Sequence, residues 1–298
     1  MKRGIDMTVC VAAICENSMV ICASDRMVTA ADIEFEPQKT KIVPLTTSIV
    51  FMIAGDSSLQ DDIVKNVQEI VWERIRKEPQ NWWQISDVAD LYANFYNRAK
   101  QKMAKNAFLE PLGLDSDSFI SRQQNMDPQL VSKLANELIY FKMPRIETII
   151  AGCDNRGVHI YTFENEGIYS LDRVGFASIG IGRRHADSEF MFAGHSGNKS
   201  LPETLLLTYF AKRRAEVAPG VGKATDIYIV GPKLGYSYSF SNDSDHATFK
   251  KLEDIYKNTQ KEIMSLNKKA NADIDIFLKS LEKEAPSSQE VPKEEKKE

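Results

Sequence analysis

The chain has 298 residues, 43% of them hydrophobic, and a formal net charge of −4. That length allows one large domain or two small ones, with a core that needs no disulfide or metal staple. The mild acidity, with basic residues scattered, argues against nucleic acid as the main partner. No uninterrupted apolar run approaches the ~18 residues of a membrane span, and Met1–Asp6 has no apolar segment behind its basic residues, so neither a membrane anchor nor a signal peptide is expected.

Thr8–Cys15 and Met19–Ala23 read as two strands joined by a turn at Glu16-Asn17-Ser18. Both are almost wholly apolar, as in a sheet covered on two faces. Lys41-Ile42-Val43 opens a third strand, and Ser48–Ala54 is a fourth that ends at Gly55-Asp56. Ser57-x-x-Gln60 predicts a capping box for a helix whose stripe is Leu59, Ile63, Val67, Ile70, Val71 and Ile75. A second helix is expected over Ser86–Ala104, a fading pattern over Lys105–Met126, and a third helix from Asp127-Pro128 to about Ile139. Strands return at Ile146–Cys153 and Val158–Phe163 around the turn Asp154–Gly157, with short strands near Ile168–Leu171 and Ala177–Ile181. Helices follow at Arg184–Phe192 and, behind the capping pattern Ser200-x-x-Glu203, to about Arg214; Asp226–Val230 is a last strand. Grouped strands with helices between the groups suggest two packed sheets with helices outside.

From Asp245 to about Leu281 three–four spacing of apolar residues predicts one long helix, either docked on the body or paired with a partner. The Lys/Glu/Pro/Ser-rich end reads as disordered. Cys10, Cys15, Cys22 and Cys153 form no C-x-x-C pair and read as buried free thiols, as suits a cytoplasmic protein. His159, His185, His195 and His246 have no metal-ligand spacing, and no phosphate loop is present, so neither metal nor cofactor is expected. Arg183-Arg184-His185 and Lys212-Arg213-Arg214 read as solvated helix faces.

The chemistry centres on Thr8, which follows Met7 at the head of the first strand. If everything through Met7 is removed, the hydroxyl and a free α-amine share one residue. An α-amine with a pKa of roughly 7.7–8.0 can accept the hydroxyl proton near neutral pH. Such a site also needs a cation beside the hydroxyl, a carboxylate to hold it and backbone N–H groups for the oxyanion. Asp25, Lys41 and Gly55 stand at strand ends where they could supply these parts.

The runs Thr8-Val9-Cys10-Val11-Ala12, Val20–Arg26 with Thr29, Lys41-Ile42-Val43 and Ile53-Ala54-Gly55 together resemble proteasome β-type subunits and their bacterial relatives, the N-terminal nucleophile hydrolases. The Asp25–Thr29, Asp25–Lys41 and Lys41–Gly55 separations are the family's own. The Thr8–Asp25 separation is one residue longer, as one insertion in the Glu16–Ser18 turn would make it. Ala151–Asp154, Gly180-Ile181-Gly182 and Gly222–Gly231 look like the family's second half. The resemblance implies an α+β, four-layer αββα sandwich over residues 8–233, with residues 1–7 removed or misassigned. It leaves a helical insertion at about 79–140, a C-terminal helical extension at 245–283 and a disordered tail at 284–298.

It also implies roles. Thr8 would be the nucleophile, Asp25 and Lys41 the charged pair that tunes it, and Gly55 an oxyanion donor. Thr29 would pair with substrate backbone, and Val28 and Ile53 would line the side-chain pocket. The substrate would be a peptide or unfolded protein, the assembly a homo-oligomer, and any ATP dependence would lie in a separate unfoldase. Three departures stand out: Ile181 replaces a serine, only Glu216 and Pro219 stand where the family has Asp-x-x-Ser, and Met7 replaces the usual glycine. Translation from Met7, with removal of that methionine, would expose Thr8. A non-cleaving assembly module and an amidase for small non-peptide amides are the alternatives.

Overall fold

The computed structural model describes residues 8–30, 33–241 and 247–284. The expectations for residues 1–7 and for the tail beyond 284 lie outside the described residues. The chain divides into two compact units, residues 1–246 and 247–298. The first is a mixed α/β unit built on two five-stranded antiparallel sheets.

The first sheet is founded on β1 (Cys10–Cys15) and β2 (Met19–Ser24), paired from Cys10 opposite Ser24 to Cys15 opposite Met19. Glu16 and Asn17 both have positive φ, as a tight turn matched to strand twist requires. β10 (Phe176–Ile179) flanks β1; β11 (Asp226–Val230) and then β12 (Ser237–Ser241) continue beyond β2. The second sheet runs β5 (Ile42–Pro44), β6 (Ile49–Gly55), β7 (Ile146–Asp154), β8 (Gly157–Glu164) and β9 (Gly167–Ser170) in sequence order. A separate hairpin, β3 (Val28–Ala30) with β4 (Ile33–Phe35), stands apart from both.

Strand alternation sorts the apolar runs into two jobs. Cys10, Ala12 and Ile14 pack with Val50, Met52, Ile149 and Ala151 of the second sheet, so the two sheets share a core. Val9, Val11 and Ala13 face the other way, onto Ala186 and Phe190 of α5 (Arg183–Phe192) and Ala211 and Ala215 of α6 (Leu201–Ala215). The outer face of the second sheet, with Phe51, Ile150 and Phe163, is covered by α1 (Ser57–Lys77) and α2 (Ile85–Phe108). Tyr92 of α2 is fully buried there and shares a 2.8 Å hydrogen bond with Thr148. Beyond α2, α3 (Ser116–Arg122) and α4 (Pro128–Ile139) bury little, Leu134 of α4 being the exception.

Several local expectations change. The residue that caps α1 is Asp56, whose carboxylate accepts from the Leu59 N–H at 3.0 Å, so Ser57-x-x-Gln60 is not the box. The Gln60 amide instead turns inward and donates to the carbonyls of Ala54 (2.7 Å) and Glu147 (3.0 Å). Ile70, assigned to the buried stripe, is exposed. The β3–β4 hairpin and β12 are strands that the pattern did not mark; Asp226–Val230 is not the last.

The predicted Ser200/Glu203 box does form. The four thiols are free and buried. In the second unit α7 spans Ala247–Glu284, and its apolar residues Ile263, Leu266, Ile274 and Phe277 are exposed. Among the described residues no helix is long and apolar enough to cross a membrane.

Candidate active site

β2 ends where its partner strand begins, so the residue after β2 faces the head of β1. The Asp25 N–H donates to the Val9 carbonyl at 3.1 Å, which fixes the turn. The Asp25 side chain, fully buried, then folds back under Thr8. Its Oδ1 accepts from the Thr8 hydroxyl (2.5 Å), the Val9 N–H (3.0 Å) and Lys41 Nζ (2.8 Å). Its Oδ2 accepts from the N–H groups of Met27 (3.0 Å) and Gly222 (2.9 Å). A carboxylate so saturated with donors has one geometry and stays in it.

Lys41 reaches the same point from the strand opposite. Its carbonyl accepts from the Ile53 N–H at 3.2 Å, which sets the main chain, and its ammonium donates to the Thr8 hydroxyl oxygen as well as to Asp25. Thr8 Oγ1 therefore lies between an ammonium that would stabilise an alkoxide and a carboxylate that orients the ammonium. Such an arrangement lowers the cost of forming an alkoxide at Thr8 Oγ1.

Close-packed glycines fix the backbone of Thr8. Gly180 has φ +86°, and a Cβ there would collide with the Thr8 carbonyl oxygen and methyl group. The Gly182 N–H donates to that same carbonyl at 3.2 Å. Gly180 is tied from behind: its N–H donates to Glu147 Oε2 at 2.7 Å, and the other oxygen of this buried carboxylate is held by the Arg145 guanidinium.

Gly55, with φ +108°, ends β6 opposite Ile146, and any side chain there would strike the Arg145 carbonyl. Beneath the site, Cys10 donates weakly to the Ile53 carbonyl (3.6 Å), and burial pushes its thiol up to about 12.

Of the predicted site residues, the fold brings Thr8, Asp25 and Lys41 into mutual contact and puts Gly55 at the strand end. Ile53 is buried in the core with Phe51, Ile63 and Val67, against α1. Val28 is half-buried on β3, and Thr29 follows it, opposite Glu34. The positions that depart from the family are occupied otherwise: Ile181 is exposed, and Glu216 pairs with Lys212 and Arg213.

Glu147, through Gly180, and Gly222, on Asp25, are parts that the sequence reading missed. A glutamate inside Ile146–Ile150 was a usable signal, because a charge in an apolar strand needs a partner. Among the described residues, no group of three or more His, Cys, Asp or Glu side chains is placed to hold a metal ion.

The chain matches no protein-family model and no curated protein.

Proposed function

We propose that this chain is a threonine-type amide hydrolase of the N-terminal nucleophile class, a proteasome-like subunit acting on peptides or unfolded protein. The observation that carries the reading is the convergence of Thr8 Oγ1, Lys41 Nζ and a five-donor Asp25 carboxylate from three separate segments. Two sheets sharing a core, each with helices on its outer face, support the four-layer αββα sandwich of that class.

In this reading Met7 is removed and the α-amine of Thr8 becomes the general base. It takes the hydroxyl proton as Oγ1 bonds to the substrate carbonyl carbon, while Lys41 and the Gly55 N–H face the developing charge. The C–N bond then breaks, the leaving amine takes the proton, and water hydrolyses the Thr8 ester. Assembly as a homo-oligomer, delivery by a separate unfoldase and a cytoplasmic setting belong to the same proposal.

Replacement of the family serine by Ile181 and of its partner by Pro219 favours a second reading, a non-cleaving module of the same fold. An amidase for small amides would use the same Thr8 chemistry. The test is turnover of peptide and small-amide panels by protein whose N-terminus has been sequenced. Chain starting at Thr8 should cleave, Thr8→Ser should retain part of the rate, and Thr8→Ala should lose about a thousandfold or more. Equal turnover by Thr8→Ala would remove both hydrolase readings.

A further inference from the structure

Lys212 lies on the face of α6 that carries Thr208, Tyr209, Ala211 and Ala215, all buried, where helical periodicity calls for an apolar residue. Its side chain is fully enclosed, and burial lowers its affinity for a proton. A lysine so placed persists only if its donors are used. All three are: Nζ donates to Glu216 Oε1 (2.7 Å), to the Gly222 carbonyl (2.9 Å) and to the Lys223 carbonyl (3.0 Å). Two of these acceptors belong to the segment that follows α6. The N–H of Gly222 donates to Asp25 Oδ2, and the next peptides are held by Glu36, whose carboxylate accepts from the Ala224 N–H at 3.0 Å. One residue thus has its carbonyl on the buried ammonium and its N–H on the carboxylate that orients Lys41 and Thr8.

We infer that Lys212, paired with Glu216, is a positioning residue for the Thr8 site, acting through Gly222 on Asp25. This rests on the hydrolase reading above. It gives the Glu216–Gly220 region a task in this chain although the serine expected there is a proline. The family-like supports act on the amine, whereas this clamp acts on the carboxylate.

The experiment pairs two measurements on Lys212→Met, which keeps the side-chain length and removes the charge. One is amide hydrogen exchange over residues 216–225; the other is Thr8-dependent turnover, resolved into kcat and KM. The expected result is faster exchange confined to that segment, with kcat lowered about ten- to a hundredfold and KM nearly unchanged, as for a misplaced catalytic group.

If the single variant folds poorly, Lys212→Met/Glu216→Gln removes both charges together and should give the same pair of changes. Unchanged exchange overturns the clamp whatever the activity. Faster exchange with unchanged kcat, in a chain whose turnover requires Thr8, overturns the positioning role. Absence of Thr8-dependent turnover in the unsubstituted chain sinks the hydrolase reading and the positioning role with it, while the exchange data still report whether the clamp exists.

Discussion

Asp25 and Arg26 are neighbours in sequence, and each belongs to a buried ion pair, yet the two pairs are built for different ends. Arg26 meets Asp226 of β11 with two parallel bonds, Nε to Oδ2 at 2.9 Å and Nη2 to Oδ1 at 2.6 Å. A planar guanidinium matched to a carboxylate saturates both oxygens and fixes both partners. Lys41 is a point donor, and its ammonium is shared between Asp25 and the Thr8 hydroxyl. The arginine pair is bidentate and ties the end of β2 to β11. The lysine pair is shared with a third group, the Thr8 hydroxyl, which is the nucleophile of the proposed reaction.

The sharpest way to break the comparison is to remove each cation. Lys41→Met should lower turnover by about 10²–10⁴-fold, measured on pre-sequenced chain, because the hydroxyl loses its only charged donor among the described residues. Its fold should hold, since Asp25 keeps three backbone N–H donors. Arg26→Met should do the reverse. It leaves Asp226 buried and short of partners, and denaturant unfolding should record a loss of about 3–5 kcal/mol, with turnover per folded chain changed far less. If Lys41→Met proved the more unstable of the two, the division between a bidentate pair that holds the fold and a shared pair that serves the site would be wrong.

A third test reaches beneath the site. The Cys10 thiol is pushed up to about 12 from 9.0 in its ordinary state, first by burial. Because the folded value lies above the unfolded one, the unfolded chain gives up its proton first as pH rises. The stabilisation is therefore complete below about 9 and is lost progressively towards about 12, at up to about 1.4 kcal/mol per pH unit. The stability gap between the native chain and Cys10→Ala should be flat from pH 6 to 8 and narrow above 9. A gap that stays constant to pH 11 would contradict it. The smallest effect belongs to the exposed pair of Lys39 and Asp61 at 3.2 Å, where Lys39→Ala should cost less than about 1 kcal/mol and vanish in high salt.

How far the sequence carried the reading depended on how local each determinant was. The apolar runs around Val11 and Ile21 announced doubly covered strands, but with every position apolar no pattern could say which side chains met the helices. The packing settles that: Cys10, Ala12 and Ile14 meet the second sheet, and Val9, Val11 and Ala13 meet α5 and α6. The resemblance of the runs around Thr8, Asp25 and Lys41 to the N-terminal nucleophile hydrolases was enough to nominate the three together. It could not nominate Glu147, whose partner Gly180 comes from another sheet, or Lys212, which looked like one residue of a solvated basic run. In both cases the meaning of a charge is set by backbone groups outside its own strand or helix. The misplaced cap of α1 has a simpler cause: Asp56 and Ser57 are both good caps, and the better acceptor for a helix N-terminus lay one residue earlier.

The inward turn of Gln60 has a mechanical result. Its one amide group laps across the ends of β6 and β7, fastening the first turn of α1 to both strands beside Gly55. Sliding the helix along its axis would withdraw the amide and strand two buried carbonyls, at about 1–3 kcal/mol each. The helix and the strand end therefore travel as one rigid piece. A displacement of the first turn of α1 is passed directly to the end of β6 at Gly55, the peptide that the proposed reaction uses for the oxyanion.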